Sequence, residues 1–569
     1  MKSLLIKTIT LYLLVTSSIV GIAKSDIKKL NLQASKEYLI PIRPGYEGRQ
    51  PFWNEFAKKF TYAPAFDFIA VEGAKEYRFT VIQNRKTAYV WMPPAMQKTN
   101  EKEDVPTVET IGANPLVLEA NNNSDILSWS FKDTNPKCSL SKIWNDIPAG
   151  YSKLVVEALD SDGKVIKTVG ERTFLRDFPF HGPYNTANRS YKEAAIMAAL
   201  YIHNMPAVQS WKNSCVPDMS YKHNTYPCKI IGATVRLEVM IAKEVPSKRE
   251  EALKIAKNAA QFLIDQSRPS GSILAFFPPT YYGGLVASAK QENQSKTLLM
   301  EASVAAMAFL DLYDLTKEKI YFDRAIGIAD TYITLQNQDG SFPMKVDFET
   351  GVPVNDSHAL LSPLLKLLYR LDNQYGITKY EQMQKRGEDW MNNVAVDSFD
   401  MTGQFEDVTV IGWKPYQNLT NCTAAPYASY LLNKKVVTTN NLRDAIDLIR
   451  FSEDQFLQWD ALCNEDGFRP ICTPCVYEQY QYRVPVDNSS CNVANAFLDL
   501  YLKTGDQLAF AKAKALIDNL TVVQNPVNGQ ILTTWDYRVR AKDDVRAFWI
   551  NCSVSSIEIL LRFNQLFTK

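Results

Sequence analysis

Apolar residues follow two different periods in the two parts of this chain. In the first part they alternate with polar residues over short runs such as Tyr77 to Val81 and Lys153 to Leu159, the period of half-buried β-strands. The second of these runs is followed by Asp160 to Gly163, which has the composition of a turn between two strands. Later in the chain, apolar residues recur every three or four positions, as in helices that face a core. The pattern therefore predicts a small all-β domain over residues 28–178 and an all-α domain over residues 185–569.

The all-α part contains twelve predicted helices, and the loops between them alternate between two lengths. The helices cover residues 189–206, 230–245, 248–267, 295–315, 318–338, 357–374, 378–394, 422–433, 440–459, 488–503, 506–524 and 549–567. The loop after each odd-numbered helix is long, whereas the loop after each even-numbered helix has only a few residues. Because consecutive helices run antiparallel, the long loops must share one face.

Composition separates the two sets of helices as well. The third and seventh helices keep a strongly charged side, whereas the sixth, tenth and twelfth are apolar around more of their circumference. We therefore predict that odd-numbered helices are outer and even-numbered helices inner, so that six pairs close into an (α/α)6 toroid. An open solenoid of hairpins is the alternative. Residues 185–569 resemble the six-hairpin glycosidase superfamily, and residues 28–178 resemble an immunoglobulin-like or fibronectin-like β-sandwich.

Charge and the N-terminus narrow the class of protein. The 569 residues are 46% hydrophobic and carry a net charge of +1, with no prominent basic run, which argues against a nucleic-acid partner. Lys2 and Lys7 precede an apolar run from Leu11 to Ile22, the pattern of a secretory signal peptide over residues 1–23. No later apolar run reaches the roughly 20 residues that a membrane-spanning helix requires. We expect a secreted or periplasmic protein that does not associate with the membrane after cleavage.

Nine cysteines permit some disulfides in an exported chain. Cys215 and Cys228 are one candidate pair, and a second group comprises Cys463, Cys472, Cys475 and Cys491. A zinc site is an alternative for the second group, but the spacing of its cysteines is irregular and the chain has only four histidines. Disulfides or buried thiols are favoured, and no metal or other cofactor is predicted.

The six long loops are rich in aromatic residues. Flat rings with polar edges suit the faces of sugar rings, and a guanidinium group suits the carboxylate of a uronic acid. These properties predict a carbohydrate partner, although rings and arginines also hold long loops together. The candidate substrate-binding residues are Tyr282, Trp413, Tyr480, Tyr482, Arg483, Trp535, Arg546 and Trp549.

Carboxylates in the same loops supply candidate catalytic groups. Glycosidic cleavage needs one carboxyl group to protonate the leaving oxygen and another to activate water or attack the sugar. Glu478 lies between tyrosines, and burial among rings would raise its pKa as a general acid requires. Glu406 and Asp407 form a pair between apolar residues, and we predict that one of them is its partner. Asp339 and Asp487 are further candidates, and Asp487 has helix capping as its alternative role.

Four segments strengthen the family resemblance. They are Phe451–Phe456, Cys475–Tyr480, Val484–Asp487 and Phe548–Cys552, and they are similar to motifs of secreted bacterial six-hairpin proteins. Among these, the chain resembles glycoside hydrolase family 154, which implies β-glucuronidase activity. The resemblance does not assign the catalytic acids, and Glu453 and Asp454 fall on a predicted outer helix, where their charge has a structural explanation.

The residues leave three functions open. The first is a glycoside hydrolase that uses paired carboxylates and, as the resemblance to family 154 implies, releases a uronic acid. The second is a polysaccharide lyase, for which Tyr480, Tyr482 or His358 would act as the base. The third is a glycan-binding protein without turnover, which does not explain why acids collect beside the rings.

Overall fold

The computed structural model describes residues 24–43, 55–66, 68–84, 126–136, 138–284, 291–460, 472–481, 483–535 and 548–567. The predicted signal peptide lies outside these residues. The described chain begins with helix α1 (Lys24–Glu37), whereas the alternating pattern predicts a β-rich region from residue 28. No helix among the described residues is long and apolar enough to cross a membrane.

A five-stranded sheet follows α1 in the N-terminal module (residues 24–178). Its strands are β1 (Lys59–Phe60), β2 (Glu76–Asn84), β3 (Ile126–Asp133), β4 (Gly150–Leu159) and β5 (Val165–Arg176). Their spatial order is β1-β5-β4-β2-β3, with β1 parallel to β5 and every other pair antiparallel. The predicted β4-turn-β5 hairpin is confirmed, as is the strand containing Tyr77 to Val81.

The predicted sandwich is not confirmed, because the described part of this module contains one sheet. The side chains that cover its buried face come from irregular chain: Trp144 lies 6.0 Å from Phe174, and Phe66 lies 6.2 Å from Phe60, measured between ring centroids. Trp144 sits in a pair of single helical turns at residues 140–146 rather than in a second sheet. A strand predicted near Tyr89 lies outside the described residues.

The rest of the described chain forms a ring of twelve helices, as the helical period predicts. The inner helices are α3 (Gly232–Glu244), α5 (Glu301–Thr316), α7 (Ser362–Tyr375), α9 (Asn421–Leu432), α11 (Asp487–Thr504) and α13 (Ile550–Phe567). The outer helices are α2 (Tyr191–His203), α4 (Arg249–Gln266), α6 (Lys319–Leu335), α8 (Glu381–Trp390), α10 (Thr439–Phe456) and α12 (Gln507–Val523).

Packing closes this ring. Each inner helix contacts the next, from α3 through α5, α7, α9 and α11 to α13, and α13 packs back against α3. Each inner helix also packs against the outer helix that follows it, and α13 packs against α2. The structure is therefore a closed (α/α)6 toroid rather than an open solenoid, with the predicted assignment of inner and outer helices.

Two inner helices begin later than their apolar spacing predicts. The fourth predicted helix started at residue 295, but Lys296–Leu298 form β6, which pairs antiparallel with β7 (Lys345–Asp347), and α5 starts at Glu301. The sixth was predicted from residue 357 and starts at Ser362. A further ribbon joins β8 (Leu457–Gln458) to β9 (Cys475–Val476). Some apolar residues that sequence periodicity assigns to helices therefore belong to short two-stranded ribbons within the long loops.

Candidate active site

Charged residues converge where the inner helices begin. Because each long loop leads into an inner helix, the N-termini of these helices lie on the long-loop face. Lys229 belongs to a π-helical turn before α3, Glu301 and Asp487 are the first residues of α5 and α11, and Trp549 immediately precedes α13. The partial positive charge of a helix N-terminus favours carboxylates in its first turn.

The loop that carries Glu406 and Asp407 is held by its backbone. The Tyr281 hydroxyl donates to the Glu406 carbonyl at 2.5 Å, and the Asn293 amide donates to the Val408 carbonyl at 3.1 Å. The buried Lys345 ammonium also donates to the Val408 carbonyl, and to Asn293 Oδ1 at 2.8 Å. These contacts fix the backbone on both sides of Asp407 and so fix where the two carboxylates point.

Lys229 forms an ion pair with Glu406 beside an aromatic cluster. Its ammonium lies 5.3 Å from the centroid of the Trp549 ring, and the imidazole of His223 stacks on that ring at 3.9 Å. Tyr226 stacks on the same indole at 5.7 Å. Burial, together with the Lys229 charge, lowers the pKa of His223 to about 4, so this imidazole is neutral near neutral pH.

Glu478 lies in the loop between β9 and α11, half-buried beside this cluster. Its carbonyl accepts a hydrogen bond from Thr420 Oγ1 at 2.7 Å, and its carboxylate accepts one from the Gln479 amide at 3.2 Å. Burial is the main cause that raises its pKa, to about 7, and the negative charges of Glu406 and Asp407 raise it further, against the opposing charge of Lys229. Glu478 is therefore largely protonated just below neutral pH while remaining partly accessible.

Two further carboxyl groups share this environment. Burial and the charge of Glu406 raise the pKa of Asp407 to about 6. Burial also raises the pKa of Glu301 to about 7, although the Lys229 charge opposes the shift. One carboxylate oxygen of Glu301 is buried without a hydrogen-bond partner among the described residues. The cluster thus contains carboxyl groups of different proton affinity, the property that acid–base catalysis uses.

Asp487 and Asp339 have different surroundings. Asp487 is fully buried, and its carboxylate accepts hydrogen bonds from the Asn488 amide at 2.7 Å and the Ser556 hydroxyl at 3.2 Å. Burial raises its pKa well above the usual range, and Glu478 adds to the shift. Asp339 lies in an exposed turn, where two hydrogen bonds from Ser341 lower its pKa. Asp487 therefore belongs to the cluster as a buried neighbour, whereas Asp339 stabilises a turn.

The predicted aromatic contacts separate into two groups. Trp549 lies in the cluster, and the half-buried Tyr282 packs against Phe262 at 4.9 Å. Trp413 packs against a small apolar group that includes Val408, next to the acid loop. Trp535 is fully buried and donates its indole N–H to the Leu532 carbonyl at 2.9 Å, which is a structural contact.

Two of the remaining predicted binding residues, Tyr480 and Arg483, lie in the loop of Glu478. The Tyr480 hydroxyl donates to Gln455 Oε1 at 2.5 Å. Tyr480 is only 7% exposed, so its ring faces the protein interior. The guanidinium carbon of Arg483 lies 5.5 Å from the centroid of the Tyr480 ring. Tyr482 and Arg546 lie outside the described residues. In this conformation Tyr480 and Arg483 support the loop.

Sequence reasoning missed Glu301, Lys229, Lys345 and His223. The sequence predictions concern acids and arginines in the long loops. Glu301 and Lys229 lie instead at the start of inner helices, and no lysine is among the predicted site residues. A signal was present, because Glu301 and Lys229 are single charged residues inside apolar runs, and such residues are rarely buried without a partner or function.

Of the two alternatives favoured for the cysteines, the described residues show buried thiols, at Cys228, Cys475 and Cys491, and not disulfides. None of the eight described cysteines forms a disulfide, and Cys463 lies outside the described residues. Cys228, the proposed partner of Cys215, is buried with its thiol 3.4 Å from the Pro279 carbonyl oxygen. The described residues contain no group of three or more histidine, cysteine or acidic side chains placed to hold a metal ion.

The fold and the cluster define an (α/α)6 toroid protein with a carboxyl-rich centre on its long-loop face. No protein-family model matches the sequence, and no curated protein matches it significantly, so the specific resemblance to glycoside hydrolase family 154 is not confirmed.

Several solved structures are similar to this chain. A family 76 glycoside hydrolase from a bovine Bacteroides thetaiotaomicron strain is 7% identical, with a TM-score of 0.44, over 89% of this chain and 97% of the other. The cellobiose 2-epimerase of Spirochaeta thermophila is 11% identical, with a TM-score of 0.42, over 66% and 98% of the two chains. An unsaturated glucuronyl hydrolase from a Bacillus species is 15% identical, with a TM-score of 0.32, over 70% and 89%.

Proposed function

We propose that this protein is a glycoside hydrolase in which Glu478 protonates the leaving oxygen. The observation that carries the proposal is the position of Glu478, half-buried beside Glu406 and Asp407 where the inner helices begin. A general acid must hold its proton near the working pH and still reach the substrate, and Glu478 meets both conditions.

Asp407 is the partner that the geometry favours. Glu406 is 7% exposed and its carboxylate is engaged by Lys229, whereas Asp407 is half-buried and its pKa of about 6 leaves it largely ionised at neutral pH. In this proposal Asp407 activates water or attacks the sugar, and the Glu406–Lys229 pair sets the charge around it.

For the substrate we propose a glycan that contains a uronic acid, as the resemblance to family 154 implies. The Lys229 side chain supports this, because it is 26% exposed and a sugar carboxylate can therefore approach its charge. The N-terminal sequence pattern supports a secreted or periplasmic location.

The first test is Glu478→Gln, assayed on aryl glucuronides and on neutral aryl glycosides. We expect turnover to fall by about 10²–10⁴-fold, the usual contribution of a general acid, with the thermal melt nearly unchanged. Glu349→Gln is the control, because Glu349 is an exposed acid of a neighbouring long loop, paired with Arg268. Near-normal turnover in Glu478→Gln would show that Glu478 is not the general acid. If the wild-type protein cleaves none of these glycosides, the hydrolase proposal is wrong.

A polysaccharide lyase is the second candidate, and one observation favours it. Elimination from a uronic acid needs a neutral base and a cation for the carboxylate, and His223 is held neutral beside Lys229. Of the bases that the sequence suggests, Tyr480 is engaged by Gln455, and His358 is exposed beside Trp390. An unsaturated product that absorbs in the ultraviolet would establish the lyase, and tight glycan binding without any product would indicate a binding protein.

A further inference from the structure

The segment Phe451–Phe456 at the end of α10 places three consecutive residues with carboxylate or amide side chains in the interior, next to the buried Ser452. Glu453, Asp454 and Gln455 are 0%, 1% and 2% exposed, although α10 is an outer helix. Outer helices of a ring normally direct polar side chains into solvent. These three are buried because the N-terminal module covers this end of α10, where β1 packs against the helix.

Asp454 and Lys59 join the module to the ring. Asp454 Oδ1 accepts hydrogen bonds from the Thr61 and Tyr62 amides at 2.6 and 2.8 Å. In return, the Lys59 ammonium on β1 donates to the Asp454 and Leu457 carbonyls at 2.7 and 2.8 Å. A cation at the C-terminal end of a helix satisfies carbonyl groups that have no partner within the helix. The contact therefore orients the end of α10 relative to β1.

Gln455 carries this contact across to the loop of Glu478. Its amide nitrogen donates to the Lys59 carbonyl at 2.8 Å and to Asp454 Oδ2 at 2.6 Å. Its amide oxygen accepts from the Tyr480 hydroxyl at 2.5 Å. Because both ends of the Gln455 amide are engaged, the module determines where this oxygen lies, and the oxygen in turn determines where Tyr480 lies. Tyr480 is two residues from Glu478.

We propose that strand β1 of the N-terminal module positions Glu478 through Asp454, Gln455 and Tyr480. These three are positioning residues, since each acts on Glu478 through the loop rather than on the substrate. Strand β1 then contributes to turnover through this one chain of contacts, whereas the other contacts of the module serve stability. The inference rests on the proposed role of Glu478, but the contacts themselves can be tested separately.

Glu453 provides a matched comparison at the same interface. Its carboxylate accepts hydrogen bonds from Tyr38 at 2.5 Å, Tyr62 at 2.8 Å and Lys512 at 2.9 Å. The Trp459 indole also donates to it at 2.9 Å. This half of the interface joins the module to α12 and does not include Tyr480. Loss of a Glu453 contact should therefore weaken docking without displacing the loop directly.

The experiment compares Tyr480→Phe, Gln455→Met and their double variant with Tyr62→Phe in the full chain. Tyr480→Phe and Tyr62→Phe remove the same hydroxyl group from buried tyrosines at one interface. We expect roughly ten-fold lower kcat with little change in KM for Tyr480→Phe, because misplaced catalytic groups reduce turnover more than binding. Gln455→Met should match it, and the double variant should be no worse than either single variant. Tyr62→Phe should lower the melting temperature and leave kcat near the wild-type value.

Amide hydrogen exchange gives a readout that does not depend on activity. Residues 475–481 should exchange faster in Tyr480→Phe and Gln455→Met, but not in Tyr62→Phe. Additive losses of kcat would show that Tyr480 acts on the substrate instead and would overturn the positioning role. Unchanged exchange of this loop would overturn it as well. If the wild-type protein hydrolyses no glycoside, the proposed function fails, while the exchange comparison still decides whether the module holds the loop.

Discussion

Two physical effects raise the pKa of Glu478. Burial disfavours the charged carboxylate, and the neighbouring charges of Glu406 and Asp407 disfavour it again. The positive charge of Lys229 lowers the pKa of Glu478 and so opposes both effects. Lys229 forms its ion pair with Glu406, however, and not with Glu478. The outcome is a carboxyl group that loses its proton near pH 7 rather than near pH 4.

The dependence of kcat/KM on pH should therefore be a narrow bell. A general acid must be protonated, so activity should fall as pH rises through about 7, the pKa of Glu478. A general base must be ionised, so activity should fall as pH drops through about 6, the pKa of Asp407. Because interacting groups titrate together, each limb reports an apparent value of the cluster. A rate that stays level from pH 5 to 9 would contradict this assignment.

Glu406→Gln separates the two candidate partners of Glu478. It removes a negative charge that raises the pKa of Glu478 and frees Lys229 to lower it, so both changes lower that pKa. The alkaline limb of the kcat/KM profile should move down by roughly one pH unit, a typical shift for one nearby charge. Activity should persist if Asp407 is the partner. Complete loss of activity would transfer that role to Glu406.

The residues of the candidate site were predictable to different degrees. The sequence predicts Glu406, Asp407 and Glu478 as site residues because they are loop acids beside aromatic or apolar residues, and it adds Asp487 as a further candidate at the start of a helix. Glu301 was not, because the first residue of a helix has no loop signature. Sequence spacing also does not reveal that Asp339 closes a turn through Ser341, because that depends on a local backbone conformation.

At the scale of elements, the β6–β7 ribbon holds the acid loop in place. Lys345 on β7 is fully buried, and its ammonium satisfies the Val408 carbonyl and Asn293 Oδ1. The ribbon therefore connects the start of α5, where Glu301 lies, to the loop that carries Glu406 and Asp407.

Lys345→Met should destabilise the protein and reduce turnover. The substitution removes the donor to Asn293 Oδ1, and an unsatisfied buried acceptor costs about 1–3 kcal/mol. The Val408 carbonyl keeps its hydrogen bond from the Asn293 amide but loses the one from Lys345. Lys296→Met is the matched control, since Lys296 lies on the same ribbon but pairs with Asp347 near the surface. Chemical denaturation and steady-state rates of the two variants check this. Equal effects of the two substitutions would show that the buried Lys345 contact stabilises the protein no more than the surface ion pair of Lys296.

The turn after α6 depends on a glycine. Gly340 has a φ of 94°, and an added Cβ would lie 2.2 Å from the Arg386 carbonyl oxygen. Gly340→Ala should therefore cost roughly 1–3 kcal/mol more than Gly376→Ala, because overpacking adds to the left-handed backbone cost. Gly376 has a φ of 70° with open space around it. Melting temperatures of the two variants provide the measurement, and similar values would contradict the steric argument.

At the scale of the whole molecule, the N-terminal module and the ring share a buried polar interface. Glu453 and Lys512 are both buried and lie 2.9 Å apart within it. Neither charge has access to water, so each depends on its partners at the interface. Lys512 contacts Glu453 and Glu37, and Glu453 also accepts hydrogen bonds from Tyr38 and Tyr62. We expect the module and the ring to unfold together.

Glu453→Ala should reduce the free energy of unfolding by about 3–5 kcal/mol, the usual cost of removing one partner of a buried ion pair. The substitution leaves Lys512 with Glu37 as its remaining carboxylate partner and removes the acceptor of Tyr38, Tyr62 and Trp459. Glu171→Ala is the comparison, since Glu171 pairs with Lys153 on the exposed side of the sheet and should contribute less than about 1 kcal/mol. Denaturant titration monitored by tryptophan fluorescence would measure both. A small loss in Glu453→Ala would show that Glu37 alone is enough to stabilise the buried Lys512 charge.

The sequence by itself determined the twelve helices of the ring, their alternation between inner and outer positions and the face that carries the long loops. These features follow from local periodicity and loop length, which are properties of consecutive residues. Only the tertiary structure showed that the N-terminal module contains a single described sheet and that Glu301 and Lys229 join the acid cluster. It alone showed that Gln455 connects β1 to the loop of Glu478. These contacts join residues far apart in the chain, and such pairs leave no period in the sequence.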